Sequence, residues 1–127
     1  MSKLLINFAS KSLTMAQRII QVMLSEEAER FILSQDVKAQ KKITYNIRAV
    51  ESGLMDSTIL KKLEGSDIWE FRTLFNGIHY RLFAFWDIEQ RSLIIATHGI
   101  VKKTKKTPKQ EIEKAERIRN EYFKTKR

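Results

Sequence analysis

The hydrophobic positions follow a helical period in the first half of the chain and an alternating period in the second half. Residues 18–24 predict a strand, and Ser25 is then the expected N-cap of a helix. A second helix is predicted from about residue 37 to residue 52, because apolar residues recur there at intervals of three or four. These residues are Ala39, Ile43, Ile47, Val50 and Leu54. The two helices are expected to form an antiparallel hairpin.

The stretch after the second helix contains two glycines and is predicted to hold a third, short helix. Gly53 is expected to end the second helix, because glycine readily adopts the left-handed conformation found at helix C-termini. Asp56 is then expected to cap a helix that runs to Leu63, just before Gly65.

A β-hairpin is the clearest local feature of the sequence. The segments IWEFRTLF and IHYRLFAFW alternate between apolar and polar residues, and Asn76 and Gly77 lie between them. Asn-Gly is the preferred pair for a type I′ turn, because both central residues need positive φ. With these two residues as the loop, Phe75 pairs with Ile78, and the register of every later pair follows.

Two further elements complete the predicted fold. The apolar run SLIIATHGIV, residues 92–101, predicts a central strand that is buried on both faces. Thr107, Pro108 and Gln110 are the expected N-cap, N1 and N3 residues of a C-terminal helix. The fold class is therefore α+β, with N-terminal helices packed on a small twisted antiparallel β-sheet and a C-terminal helix.

The composition is that of an ordinary globular domain. The 127 residues suit a single domain, expected over residues 15–127, with residues 1–14 as an N-terminal extension. Cysteine is absent, which excludes disulfide and thiol chemistry and makes a reducing cytoplasm the expected location. The sequence has no apolar run of membrane-spanning length, no Gly-rich phosphate loop and no metal-ligand spacing, so neither a metal nor a cofactor is expected.

The positive charge is concentrated at the C-terminal end. The net charge is +9, and residues 102–127 alone carry 11 basic and 4 acidic residues, a net charge of +7. Within five positions lie Lys102, Lys103, Lys105 and Lys106. Such a field attracts a polyanion or an acidic protein, although a solvated surface loop has the same composition.

The predicted hairpin register brings two arginines face to face. Arg72 lies opposite Arg81, and like charges so placed are unfavourable unless an anion lies near them. Glu70, His79 and Phe83 share that face of the hairpin. Arginines, lysines and an aromatic ring suit single-stranded RNA, because cations hold phosphates and a ring stacks on a base. Pairing of each arginine with a surface carboxylate such as Glu70 or Glu64 is the alternative explanation.

The residues that would transfer protons are left open by the sequence. Cations can catalyse phosphodiester cleavage electrostatically as a ribose 2′-hydroxyl attacks, and His79, His98, Glu70 or a lysine of lowered pKa are candidate acids and bases. His98 lies late in a buried strand, where a structural role is the alternative. For His79, beside the turn, simple exposure is the alternative.

The segments KKLEGSDIWEFRTLFNGIHYRLFAFW and LIIATHGIVKKTKKTPKQEIEKAERIRNEY resemble the RelE/ParE toxin superfamily and, within it, the phage-derived HigB-like branch. The resemblance covers residues 15–123. It implies the toxin of a type II toxin–antitoxin pair, which cleaves mRNA on the ribosome without a metal, through a 2′,3′-cyclic phosphate. The implied partners are the ribosome, mRNA and a cognate antitoxin that carries a DNA-binding domain.

The resemblance also implies roles for individual residues, although Glu70 departs from the basic residue that some RelE-like toxins have there. The implied catalytic residues are Arg72, Arg81, Lys102 and Lys103. The expected RNA-binding residues are Lys105, Lys106, Phe83 and His79. The candidate acids and bases are Glu70, His98 and Tyr122, the last near the end of the C-terminal helix.

Two other functions stay open at this level. ParE-like relatives share the fold and inhibit DNA gyrase by binding, without cleaving RNA. A prophage remnant that only binds its partner is the second alternative. The phenotype of induction distinguishes the ribonuclease from the gyrase inhibitor, since a ribonuclease stops protein synthesis rapidly whereas a gyrase poison causes DNA damage and filamentation. The sequence does not specify the cleaved codon or base, the antitoxin or the oligomeric state.

Overall fold

A computed structural model describes residues 19–102 and 106–126 of the chain. The expected extension at residues 1–14 and the first residue of the predicted first strand, Arg18, lie outside these ranges. The described elements, in chain order, are β1 (Gln21–Leu24), α1 (Glu26–Leu33), α2 (Val37–Glu51), β2 (Leu60–Lys62), β3 (Trp69–Phe75), β4 (Ile78–Trp86), β5 (Leu93–Lys102) and α3 (Lys109–Thr125).

The strands form one mixed sheet in the order β1-β5-β4-β3-β2. The α+β class is confirmed, but the sheet is not wholly antiparallel, because β1 runs parallel to β5 with Gln21 opposite Leu93. The chain between these two strands contains both N-terminal helices and three strands. That long connection lets the chain come back so that β5 runs parallel to β1, which a short hairpin does not allow.

The sheet is covered on both faces by helices. On one face, α1 and α2 bury the predicted apolar stripe against the sheet, except for Leu54, which is exposed beyond the end of α2. The opposite face carries α3, whose Ala115 packs among Phe83, Phe85 and Ile95. The position of β5 between β1 and β4 confirms the predicted central strand.

The ends of the first two helices follow their sequence signals. The hydroxyl of Ser25 accepts a hydrogen bond from the backbone N–H of Ala28 at 3.0 Å, which confirms it as the N-cap of α1. Asp36 caps α2 in the same way, through the N–H of Lys38 at 2.8 Å. Gly53 follows the end of α2 with φ at +103°, a conformation that favours glycine.

The short helix predicted between Asp56 and Leu63 is wrong. Asp56 does accept hydrogen bonds from the N–H and hydroxyl of Thr58, both at 2.9 Å, but these close a turn. The chain then enters β2, where Leu60 pairs with Phe71 and is buried. Strand pairing satisfies backbone groups that a helix of this length would leave without partners.

The predicted hairpin is confirmed together with its register. Asn76 has φ at 51° and Gly77 has φ at 73°, as a type I′ turn requires. Phe75 pairs with Ile78, and Arg72 consequently lies opposite Arg81.

The predicted capping box of the C-terminal helix is wrong. Pro108 occupies the N-cap position without a side-chain hydrogen bond, and α3 begins at Lys109. The hydroxyl of Thr107, which was expected to cap the helix, instead donates to the carboxylate of Glu70 at 2.5 Å. A charge-assisted hydrogen bond to a carboxylate is stronger than a neutral capping bond, so the tertiary contact prevails.

Gly99 provides a test of how closely α1 packs on β5. A Cβ atom at this position would lie 2.3 Å from Cδ2 of Phe31. Gly99→Ala is therefore expected to lower the free energy of unfolding by about 1 to 3 kcal/mol, the usual cost of overpacking. Urea denaturation measures this loss. In a Phe31→Ala background most of the loss should disappear, and an equal loss in both backgrounds would contradict the steric explanation.

Candidate active site

The strand register arranges the side chains of one sheet face in three rows, which include most of the polar candidates. Each row contains one residue from β3, one from β4 and one from β5. The row nearest the hairpin turn is Leu74, His79 and Lys102; the second is Arg72, Arg81 and Ile100; the third is Glu70, Phe83 and His98. The register therefore places most of the expected site residues on neighbouring strands.

A buried carboxylate lies at the centre of this face. Glu70 is 2% exposed, and its Oε1 lies 3.4 Å from Nε of Arg81 and 3.6 Å from Nε of Arg72. Its Oε2 accepts the hydrogen bond from Thr107. The two facing arginines thus share Glu70, a carboxylate that the alternative explanation named but expected at the surface. Because the carboxylate is buried against these donors, its contacts suit the positioning of cations more than proton exchange with a substrate.

The two arginines differ in their access to solvent. Arg81 is 2% exposed, whereas the side chain of Arg72 is 25% exposed. Burial lowers the pKa of Arg81, the charge of Glu70 opposes that effect, and the charge of Arg72 adds to it. Nη2 of Arg81 lies 3.4 Å from Nδ1 of His79, and Nε of Arg81 makes no hydrogen bond despite its ion-pair distance from Glu70. Because this Nε is itself buried on the side of Glu70, Arg72 is the more accessible of the two guanidinium groups for an incoming anion.

Lys102 joins the same cluster through Thr107. It is 5% exposed, and its Nζ donates to the hydroxyl of Thr107 at 3.1 Å. Burial lowers the pKa of Lys102; the charge of Glu70 opposes this effect, and the charges of Arg81 and Arg72 reinforce it. No local sequence signal indicated this Thr107 link, because it depends on where the chain passes between β5 and α3.

The remaining lysines of the basic segment are not part of this described cluster. Lys103 and Lys105 lie outside the residues that the structure describes. Lys106 is described and is exposed. Their expected contacts with RNA stay predictions.

An open groove of about 340 Å³ borders the arginine pair. Its lining brings together three expected residues and two that sequence reasoning missed: Arg72, Arg81, His79, Leu74 and Thr58. The register could have indicated Leu74, which pairs directly with His79. Thr58 could not have been found, because its segment was expected to be helical.

Phe83 does not belong to the groove. It has no exposed surface, and its ring stacks on that of His98 with 4.9 Å between the ring centres. Because α3 covers this row of the sheet, a base cannot reach the ring. The expectation that Phe83 stacks on RNA is therefore corrected.

His98 has the contacts of a structural histidine. It is 1% exposed, its Nε2 lies 3.0 Å from Oε1 of Glu111, and its Nδ1 lies 2.9 Å from the hydroxyl of Thr97. Burial lowers the pKa of His98, and the hydrogen bond to Glu111 opposes that shift. With both ring nitrogens engaged beneath α3, His98 is not placed to contact a substrate in the groove.

Tyr122 is also separated from the arginine pair. Its hydroxyl donates to Oδ2 of Asp87 at 2.6 Å, at the end of β4 that lies away from the hairpin turn. Asp87 is fully buried and also accepts hydrogen bonds from the backbone of Glu89 and Gln90 at 2.8 and 2.9 Å. The structure thus brings Tyr122 to a buried aspartate that sequence reasoning missed, and not to the groove.

Tyr122→Phe is expected to reduce stability while leaving activity unchanged. Burial raises the pKa of Asp87, but hydrogen bonds from Lys126, Tyr122 and two backbone amides outweigh it and hold this pKa well below its ordinary value of 3.8. The stabilisation that this lowered pKa provides is complete above the ordinary value and is lost as the pH falls through the lowered pKa of the folded state. Removing the tyrosine hydroxyl should cost about 1 to 3 kcal/mol at pH 7 and a similar amount at pH 3, because Asp87 in the folded protein stays ionised at both pH values. Urea denaturation at both pH values measures this; a loss that disappears at pH 3 would contradict it.

The part of the chain that the structure describes contains neither a cluster of metal-ligand side chains nor a membrane-spanning helix. Within residues 19–102 and 106–126, no three His, Asp or Glu side chains cluster in a way that could hold a metal ion. The helices in the same ranges are too short or too polar to cross a membrane.

Residues 30–120 match the model of a family described as phage-derived protein Gp49-like (DUF891). The chain belongs to this Gp49-like family. The family is toxin-like and related to RelE/ParE-type toxins, which confirms the broader resemblance without distinguishing a HigB-like branch. No curated protein matches the chain in sequence. Membership in the Gp49-like family is compatible with the toxin of a toxin–antitoxin pair.

Proposed function

We propose that this Gp49-like protein is the toxin of a type II toxin–antitoxin system and that it cleaves mRNA on translating ribosomes. The observation that carries this proposal is the groove in which Arg72, Arg81 and His79 meet. Two guanidinium groups beside an imidazole provide both charge stabilisation and proton transfer for phosphodiester cleavage.

The arginines hold the scissile phosphate in this proposal. Glu70 fixes both guanidinium groups from below through its Oε1, so that their positions are set before RNA arrives. The phosphate then binds the remaining donors from the groove side. Such preorganised donors stabilise the extra negative charge of the pentavalent transition state without a cost for reorientation during the reaction.

His79 acts as the general base. A guanidinium has no acceptor, so the contact between Arg81 and Nδ1 of His79 requires that nitrogen to be unprotonated. A bound phosphate draws the donors of Arg81 towards its oxygens and leaves the Nδ1 lone pair for the 2′-hydroxyl. The 2′-oxygen then bonds to phosphorus and its proton passes to His79.

In this proposal Lys102 supplies the proton that the leaving oxygen takes up. It pairs directly with His79 across β4 and β5, and burial lowers its pKa. Its ammonium gives a proton to the 5′-oxygen as the bond from that oxygen to phosphorus breaks. The products are a 2′,3′-cyclic phosphate and a free 5′-hydroxyl. Lys103, the next residue in the chain, adds a further positive charge.

The proposed partners follow from the same chemistry. Lys105, Lys106 and the basic C-terminal region dock on ribosomal RNA, where dense phosphate charge makes binding dependent on salt. A cognate antitoxin that carries a DNA-binding domain neutralises the toxin, and both act in the cytoplasm.

Translation in a cell-free extract tests the proposal. Purified protein is added to the extract, and primer extension then maps breaks in the template mRNA. Cuts that appear only while ribosomes are translating are the expected result. Intact mRNA with unimpaired translation would reject the nuclease and favour gyrase inhibition or a partner-binding remnant, which a gyrase supercoiling assay separates.

A further inference from the structure

We infer that the groove holds one nucleobase as well as the scissile phosphate, and that Leu74 and Thr58 form the base subsite. This inference rests on the proposed function and adds a determinant of cleavage preference to it. Neither residue contributes to the proposed chemistry. Both line the same groove as the arginine pair.

The groove has the two-sided character of a nucleotide. Arg72 and Arg81 provide a cationic end for phosphate, while Leu74 provides an apolar wall that is 59% exposed. Leu74 lies on the same face of β3 as Arg72 and directly opposite His79. An exposed leucine between a guanidinium and an imidazole gains little from protein packing, but a base edge or face can cover it while the attached phosphate reaches the arginines.

Thr58, which also lines the groove, has a hydroxyl group whose position is fixed by hydrogen bonding. Its hydroxyl donates to Oδ1 of Asp56 at 2.9 Å, and its backbone N–H binds the same oxygen at 2.9 Å. Because the hydroxyl proton is already engaged, this oxygen can serve a ligand in the groove as an acceptor. It therefore suits a base that presents a donor, such as the amino group of adenine or cytosine.

The dimensions favour a single nucleotide. A volume of about 340 Å³ is at the small end of ligand sites, which leaves room for one base with its ribose but not for a stacked run of bases. With Phe83 sealed beneath α3, Leu74 is the apolar side chain that borders the groove among the residues described. The base next to the scissile phosphate accordingly lies on Leu74.

The first experiment maps cleavage preference in the translating extract. Primer extension compares the wild type, Leu74→Ala, Thr58→Val and Val101→Ala on an mRNA that presents all four bases at equivalent codon positions. Val101 is the matched control, because it is 49% exposed but pairs with Tyr80 of the core and does not line the groove. Leu74→Ala should reduce the ratio between the most and least cut bases by about tenfold, the discrimination that a lost pocket contact costs.

The other variants sharpen this result. Thr58→Val should selectively reduce cuts at adenine or cytosine, and Val101→Ala should keep the wild-type preference. Unchanged preference in both groove variants would overturn the base subsite while leaving the nuclease intact.

The second experiment does not depend on cleavage. Protein labelled with ¹⁵N and with ¹³C in its leucine methyl groups is titrated with inorganic phosphate or with a trinucleotide that is 2′-O-methylated and therefore cannot be cut. Phosphate should shift the amide signals of Arg72 and Arg81, whereas the trinucleotide should also shift the methyl signals of Leu74. A trinucleotide that shifts the arginine signals but not Leu74 would overturn the subsite. A Leu74 shift in a protein that cuts no mRNA would support the subsite and reject the proposed reaction.

Discussion

Replacing Arg72 with alanine and Arg81 with lysine should reduce mRNA cleavage by a hundredfold or more without unfolding the protein. Loss of a single preorganised donor to a developing anion typically costs about 10² to 10³ in rate. Lysine is chosen at position 81 because Arg81 is buried against Glu70, so alanine would leave a buried carboxylate without one of its cations. Lysine keeps that charge but cannot donate two parallel hydrogen bonds to a phosphate.

The measurement pairs cleavage with folding. Primer extension in the translating extract gives the rate, and urea denaturation shows whether the variant is folded. Arg91→Ala is the matched control, because Arg91 is exposed in the turn between β4 and β5 and does not line the groove. It should cleave at the wild-type rate. A folded double variant with wild-type activity would refute the assignment of the phosphate to the arginine pair.

The geometry of this pair was accessible from the sequence because a short turn determines the register of a hairpin. Asn76 and Gly77 favour one turn type, and the positions of Arg72 and Arg81 follow from it by counting residues. The amphipathic stripe of α2 is similarly local. Where the conformation of a segment is decided by its own residues, the sequence predicts that conformation well.

Other features depend on contacts between distant segments, and local rules failed there. Thr107 has the sequence context of an N-cap, but a buried carboxylate 37 residues away in the chain competes for its hydroxyl. Leu60 lies in a segment with helix-like boundaries, but it gains burial by pairing with Phe71. The parallel pairing of β1 with β5 is likewise a choice among distant partners.

Alternation along a strand indicates which face a side chain occupies but not what covers that face. Phe83 was correctly expected on the face of Arg81, and the register places His98 there as well. The sequence did not show that α3 covers Phe83 and His98 and stops short of the groove. Tyr122 illustrates the same limit, because its position along α3 brings it to Asp87.

The described contacts connect the cationic groups into one unit. Glu70 binds both arginines with one oxygen and reaches Lys102 through Thr107 with the other. A buried carboxylate that offsets three cations lowers the cost of holding them together before RNA binds. Positive charge is thus concentrated beside the groove at a point where two β-strands determine its geometry.

His79→Gln should lower the rate of mRNA cleavage by about a hundredfold or more, the typical contribution of a general base. The neutral imidazole accepts the proton of the 2′-hydroxyl, so the wild-type rate should rise with increasing pH until the base is fully in its neutral form. Glutamine retains a polar side chain of similar size but cannot take up a proton. The variant should therefore lose this rising limb, and only the decline expected at high pH from deprotonation of Lys102 should stay.

The second of the two histidines in the chain is the control for this pH dependence. His98 is sealed between Glu111 and Thr97, so His98→Gln should alter stability but keep the rising limb of the cleavage rate. Rates are measured by primer extension from pH 5 to pH 9 on protein shown to be folded at each pH. If His79→Gln keeps the rising limb and His98→Gln loses it, the proton acceptor lies beneath α3 and the proposed mechanism at the groove is wrong. If both variants keep it, the limb belongs to the ribosome or the RNA, and His79 contributes binding alone.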